Sequence, residues 1–121
     1  MGCDFNPRWF WTGENVKAIL TLLPELNKPI FHVCSGYSNI GDVRIDKTWM
    51  NDLIKEGKFA FPELRGFCNI VGDMEHLPFK DGIAGSVICD PPYKYDFTKP
   101  KLVNELVRIC KPKGKIVFIA P

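Results

Sequence analysis

No apolar run in this sequence approaches the roughly 20 residues that a helix needs to cross a bilayer. The first residues do not read as a signal peptide either, because Asp4, Pro7 and Arg8 interrupt any apolar core. The expected location is therefore cytoplasmic, with no membrane partner. Net charge is also scarce, at +2. A strong non-specific nucleic-acid binder carries a denser basic stripe, so charge alone does not argue for one. There is no Cys-x-x-Cys pair. The five cysteines (Cys3, Cys34, Cys68, Cys89 and Cys110) are scattered, and an odd count at such spacings fits reduced, buried thiols rather than a disulfide framework or a zinc site. No metal is expected. Neither G-x-x-x-x-G-K-[ST] nor G-x-G-x-x-G occurs, which disfavours the usual phosphate-cradling nucleotide binders.

What is present is 121 residues, 45% of them apolar and 25% charged, enough for one domain with a single core. Residues 1–29 form an aromatic-rich segment with Trp9, Phe10 and Trp11, then a helix that packs on the core. Thr12 reads as its N-cap, Val16, Ile19, Leu20 and Leu23 recur at helical spacing, and Pro24 is expected to stop it. From residue 30 to 121 an alternation follows. Strands are expected at 30–34, 43–46, 67–71, 84–89 and 115–120. Helices are expected at 47–56, ended by Gly57, and at 102–110, where Leu102, Val103, Leu106, Val107 and Cys110 share a face. Apolar strands alternating with amphipathic helices predict an α/β, Rossmann-like, mostly parallel sheet of about five strands with helices on both faces. Ligands in such sheets sit beyond the carboxyl ends of the strands. Gly36, Asp46, Asp73 and Asp90 each fall just after one.

The sharpest signal is Asp90-Pro91-Pro92-Tyr93, directly after the fourth expected strand. Two prolines stop the ladder and hold the backbone rigid, since each fixes its φ and lacks an N–H. A rigid turn can aim the Asp90 carboxylate and the Pro91 carbonyl at one point. Two fixed acceptors suit an amino group that must lose planarity as it attacks. Tyr93 offers a flat face for a base lifted from its stack.

These four residues resemble the fourth motif of the class I S-adenosylmethionine-dependent amino-methyltransferases, which methylate adenine, cytosine or guanine amines and some glutamine amides. The resemblance covers residues 30–121 and implies catalytic roles for Asp90, Pro91, Pro92 and Tyr93, with S-adenosyl-L-methionine as cofactor. It also implies that Cys34, Ser35 and Gly36 hold the cofactor's amino-acid end. Asp46 would accept hydrogen bonds from the ribose hydroxyls, one carboxylate facing a vicinal diol. Gly72-Asp73-Met74 is similar to the third motif, in which Asp73 receives the adenine amino group and the Met74 N–H addresses the ring. The stretches LPFKDG at 77–82 and KPKGK at 111–115 are similar to further family segments. A nucleic acid, DNA or RNA, is the implied substrate, with adenine favoured. A non-catalytic cofactor-binding subunit, a truncated methyltransferase and a protein glutamine N-methyltransferase are the alternatives. His76, beside Glu75, is expected on the surface, and His32 in the core or the cofactor's surroundings.

Two departures from the family pattern stand out. Only six residues separate Gly36 from Val43, where a parallel connection normally takes a dozen or more. Either that crossover is a bare loop, or the second strand lies elsewhere. The sequence also stops as the fifth strand ends, where the family continues into further strands. That suggests a missing C-terminal segment or a partner subunit that recognises the target.

Overall fold

The structure is a computed structural model and describes residues 13–36, 38–47, 66, 68–91, 95, 96 and 98–119. Helix α1 (Gly13–Leu22) leads through a 3-10 turn (Leu23–Glu25) to β1 (Ile30–Val33). There follow β2 (Val43–Asp46), β3 (Ile70–Val71), β4 (Ala84–Cys89), α2 (Lys101–Ile109) and β5 (Cys110–Phe118). The five strands form one sheet in the order β3-β2-β1-β4-β5, and every pairing is parallel. All four residues of β1 and all six of β4 are buried, as the unbroken apolar runs of a sheet covered on both faces require.

Each described helix covers one face. On one side Leu102, Leu106 and Ile109 of α2 pack with Phe31, Val33, Val87 and Cys89. On the other, Val16 and Ile19 of α1 pack with Ile30, Ile88 and Ile119. Gly85, in β4, is glycine for a steric reason: a Cβ there would collide with the Lys28 carbonyl oxygen.

The connection from β1 to β2 is a bare loop of residues 34–42, and the second strand sits where the sequence predicts. Two devices close it without a helix. Asp42 accepts from the Ile30 N–H through Oδ2 at 2.8 Å while its own N–H donates to the Ile30 carbonyl at 2.8 Å. Arg44 donates to the Gly41 carbonyl at 2.9 Å. Gly41 itself has φ +107°, a backbone that residues with side chains rarely adopt. Because both strands are only four residues long, nine residues suffice for the return.

Other boundaries differ from expectation. The α-helix stops at Leu22, ahead of Pro24 as expected, but the chain continues through the 3-10 turn Leu23–Glu25, in which the missing N–H of Pro24 is not needed. Strand β3 is only Ile70–Val71, because Asn69 Oδ1 takes the Arg44 N–H at 2.7 Å and a side chain replaces the ladder acceptor there. Strand β5 starts at Cys110, five residues early. Between the Ala84–Cys110 and Ser86–Lys115 pairings the extra residues bulge out, with Lys113 at φ +70°. The KPKGK stretch at 111–115 is thus a bulge inside the strand. Thr12, the aromatic residues 9–11, residues 48–56 of the helix expected at 47–56, and Phe67 lie outside the described residues. No helix among the described residues is long and apolar enough to cross a membrane.

Candidate functional site

In a parallel sheet ordered 3-2-1-4-5 the chain leaves β1 and β4 for neighbours on opposite sides, and the carboxyl ends of such a strand pair are where ligands bind in sheets of this kind. Two chain segments meet there. The Asp90 N–H donates to the Val33 carbonyl at 3.2 Å, so the residue after β4 continues the ladder beside the end of β1. Asp90 is 8% exposed and Pro91 is buried, which fixes the start of the turn. Pro92 and Tyr93 lie outside the described residues.

Beyond the end of β1, residues 34–36 form a tight loop. Cys34 has φ +59° and Gly36 φ +53°, two left-handed residues flanking Ser35. This double reversal turns the chain sharply off β1, so it needs no glycine-rich signature beyond Gly36 itself. The Ser35 N–H donates to the Ile45 carbonyl at 3.2 Å, and its carbonyl accepts from the Ser38 N–H at 3.0 Å. Its hydroxyl is different: Ser35 is 2% exposed, and Oγ has no hydrogen-bond partner among the described residues. A buried hydroxyl left unpaired is unfavourable unless something supplies the bond.

Asp46 stands at the end of β2, almost wholly buried. Its Oδ2 accepts from the Gly36 N–H at 2.9 Å and its Oδ1 from the Lys47 N–H at 2.7 Å. One carboxylate therefore ties the ends of β1 and β2 together.

Asp73 follows β3 and is far more exposed. Its Oδ1 accepts from the Glu75 N–H at 2.9 Å, and its Oδ2 lies 3.2 Å from His76 Nδ1, whose ring is exposed as the sequence suggests. The Glu75 N–H, and after it the His76 contact, hold the Asp73 carboxyl below the usual range. Met74 turns back toward β1, and the Cys34 thiol approaches its thioether sulfur at 3.3 Å. Cys34, Ser35, Gly36, Asp46 and Met74 are thus linked by direct contacts or by sequence adjacency, with Asp73 beside them.

Sequence reasoning passed over two residues here. The Tyr95 hydroxyl donates to Glu75 Oε2 at 2.9 Å, joining the chain after β4 to the loop after β3. Burial, and next the Glu75 bond, raise the Tyr95 pKa, so the hydroxyl keeps its proton. A tyrosine two residues beyond Tyr93, in a polar stretch before a helix, was the only signal in the sequence. No protein-family model matches this chain, and no curated protein matches it.

Proposed function

We propose that this chain is the S-adenosylmethionine-binding core of a methyltransferase acting on an exocyclic amino nitrogen, with a nucleic-acid adenine as the favoured acceptor. One observation carries the reading: three aspartates, Asp46, Asp73 and Asp90, follow the carboxyl ends of β2, β3 and β4 on one edge of the sheet, with no phosphate cradle among the described residues. The residues after β1 form a loop rather than a helix, so no helix N-terminus is offered there to a phosphate. A nucleotide polyphosphate would meet carboxylates. A ligand bearing a sulfonium cation, a ribose diol and an adenine amine meets acceptors instead.

The residues present fit such a ligand. The orphaned Ser35 hydroxyl and the left-handed backbone of Gly36 suit its amino-acid end. The Asp46 carboxylate at the end of β2 suits the diol, and Asp73 is accessible to the adenine amine. Bound there, the cofactor would supply an electrophilic methyl group. Asp90 would hold the acceptor amine by one N–H, and the Pro91 carbonyl by another, as its nitrogen pyramidalises. Rate would come from orientation and from these fixed acceptors.

Calorimetry of the full chain with S-adenosylhomocysteine, ATP and NAD tests the ligand class. Heat with S-adenosylhomocysteine alone is expected, and binding of only ATP or NAD would sink the reading. Transfer of a labelled methyl group to mixed DNA and RNA then tests the reaction.

A further inference from the structure

We propose that the Tyr95 hydroxyl is a positioning group that clasps the two halves of the candidate site; its catalytic consequence rests on the methyl-transfer reading, its structural one does not. The half on the acceptor side is the chain leaving β4, where Asp90 is five residues before Tyr95. The half on the cofactor side is the loop leaving β3, with Asp73 and Met74. The hydroxyl reaches Glu75 Oε2 at 2.9 Å, and the Glu75 backbone N–H in turn holds Asp73 Oδ1 at 2.9 Å. A single relay of two hydrogen bonds therefore runs from the segment after β4 to the carboxylate of Asp73.

Tyr95 is itself anchored. Its ring is packed against the core on the α2 face, so the oxygen is held by a rigid lever. Phenylalanine would pack as well in that position; only the hydroxyl makes the clasp. Tyr95 touches no reacting atom in this arrangement. Its part is to fix the distance between the groups that do, and misplacement by about 1 Å in such a site costs on the order of a hundredfold in rate.

The test compares the full chain with Tyr95→Phe, Glu75→Ala, Glu75→Gln and the double variant Tyr95→Phe/Glu75→Ala. Circular dichroism establishes that each is folded. Native-state hydrogen exchange then reads the clasp without any ligand. In Tyr95→Phe the amides of Glu75 and His76 should lose protection together, by about tenfold or more, while those of β1 and β4 keep theirs. Unchanged protection at both would overturn the proposal. With cofactor and accepting nucleic acid, Tyr95→Phe should lower kcat about 10- to 100-fold and leave the S-adenosylhomocysteine Kd within about twofold. Glu75→Gln, still an acceptor, should recover most of what Glu75→Ala loses. The double variant should be no worse than either single change, because both break one bond. An unchanged kcat, or losses that multiply, would also overturn it. If the unmodified chain binds no S-adenosylhomocysteine, the methyltransferase reading fails, and the exchange result still decides the clasp.

Discussion

Ser35 and Asp90 separate what a residue does for the fold from what it does for a ligand. The Ser35 hydroxyl is buried without a partner among the described residues, so it contributes nothing to stability as it stands. Replacing it with hydrogen removes an unpaired polar group. We expect Ser35→Ala to raise the unfolding free energy by about 1 kcal/mol in urea titrations. The same change should weaken S-adenosylhomocysteine binding by about 1 kcal/mol, the worth of one hydrogen bond. Opposite signs in the two measurements are diagnostic, and a variant losing both would show that the hydroxyl serves the loop. For Asp90 the separation is between affinity and rate. On the proposed methyl-transfer reading its carboxylate would be needed most as the acceptor nitrogen pyramidalises, so Asp90→Ala should cost about a hundredfold in kcat with S-adenosylhomocysteine affinity kept. Isothermal titration beside a turnover assay checks both halves. An equal loss in cofactor affinity would assign Asp90 to the cofactor instead. Asp46 admits no such clean separation, because it already binds the N–H groups of Gly36 and Lys47.

At the scale of elements, the loop after β3 owes its shape to α2. Arg108 spans the gap: its Nε and Nη2 fork onto Glu105 at 2.6 and 3.1 Å, while its Nη groups also reach the carbonyls of Leu77 and Phe79 at 3.0 and 2.7 Å. Glu105 returns the bond by accepting the Leu77 N–H at 2.7 Å. The Arg108 contact, ahead of any other influence, holds the Glu105 carboxyl below its ordinary range. Arg108→Met should destabilise the fold by about 2–3 kcal/mol, since it strands a shielded carboxylate and two carbonyls. Arg108→Lys should recover little of this, because an ammonium cannot fork across four acceptors. Denaturant midpoints for the two variants decide the matter, and a fully stable Lys variant would mean that charge alone suffices. Glu105 is a local partner, three residues back, but the carbonyls of Leu77 and Phe79 that give Arg108 its bridging role lie 31 and 29 residues away. That is why the fold was more legible than the site's supports. The buried strands at 30–33, 43–46 and 84–89 announce themselves by local apolar pattern, and the strand-end acids follow from them. The clasp of Tyr95, the bulge at 111–114 and the Asn69 side chain that shortens β3 depend on partners distant in sequence, which periodicity does not encode.

Across the whole molecule, pH dependence follows from one buried group. His32 lies in β1, wholly inaccessible to solvent, with Nδ1 at 2.9 Å from the Ile40 carbonyl. A carbonyl only accepts, so Nδ1 carries the proton in the neutral ring. Burial, opposed in part by that bond and aided by nearby Arg44, lowers its pKa from 6.5 to about 4. In the unfolded chain the ring takes up a proton below about pH 6.5; in the folded chain it stays neutral until about pH 4. The unfolded state therefore binds more protons in that window, and stability must fall as pH falls through it. At about 1.4 kcal/mol for each pH unit, the loss approaches 3 kcal/mol by pH 4. The depressed carboxyls of Asp73 and Glu105 act in the same direction but lower, as pH falls through their own folded values, so they do not account for a decline that begins near pH 6.5. His32→Asn separates the two windows, because its amide can still donate toward Ile40 but takes no proton. Its unfolding free energy should be smaller throughout, from the space it leaves, yet nearly level between pH 6.5 and 4.5. Urea titrations at half-unit intervals measure the slope directly. An unmodified chain with a level profile over that range would show that His32 is protonated in the fold or reaches water, and either would contradict the burial of β1 between two covered faces.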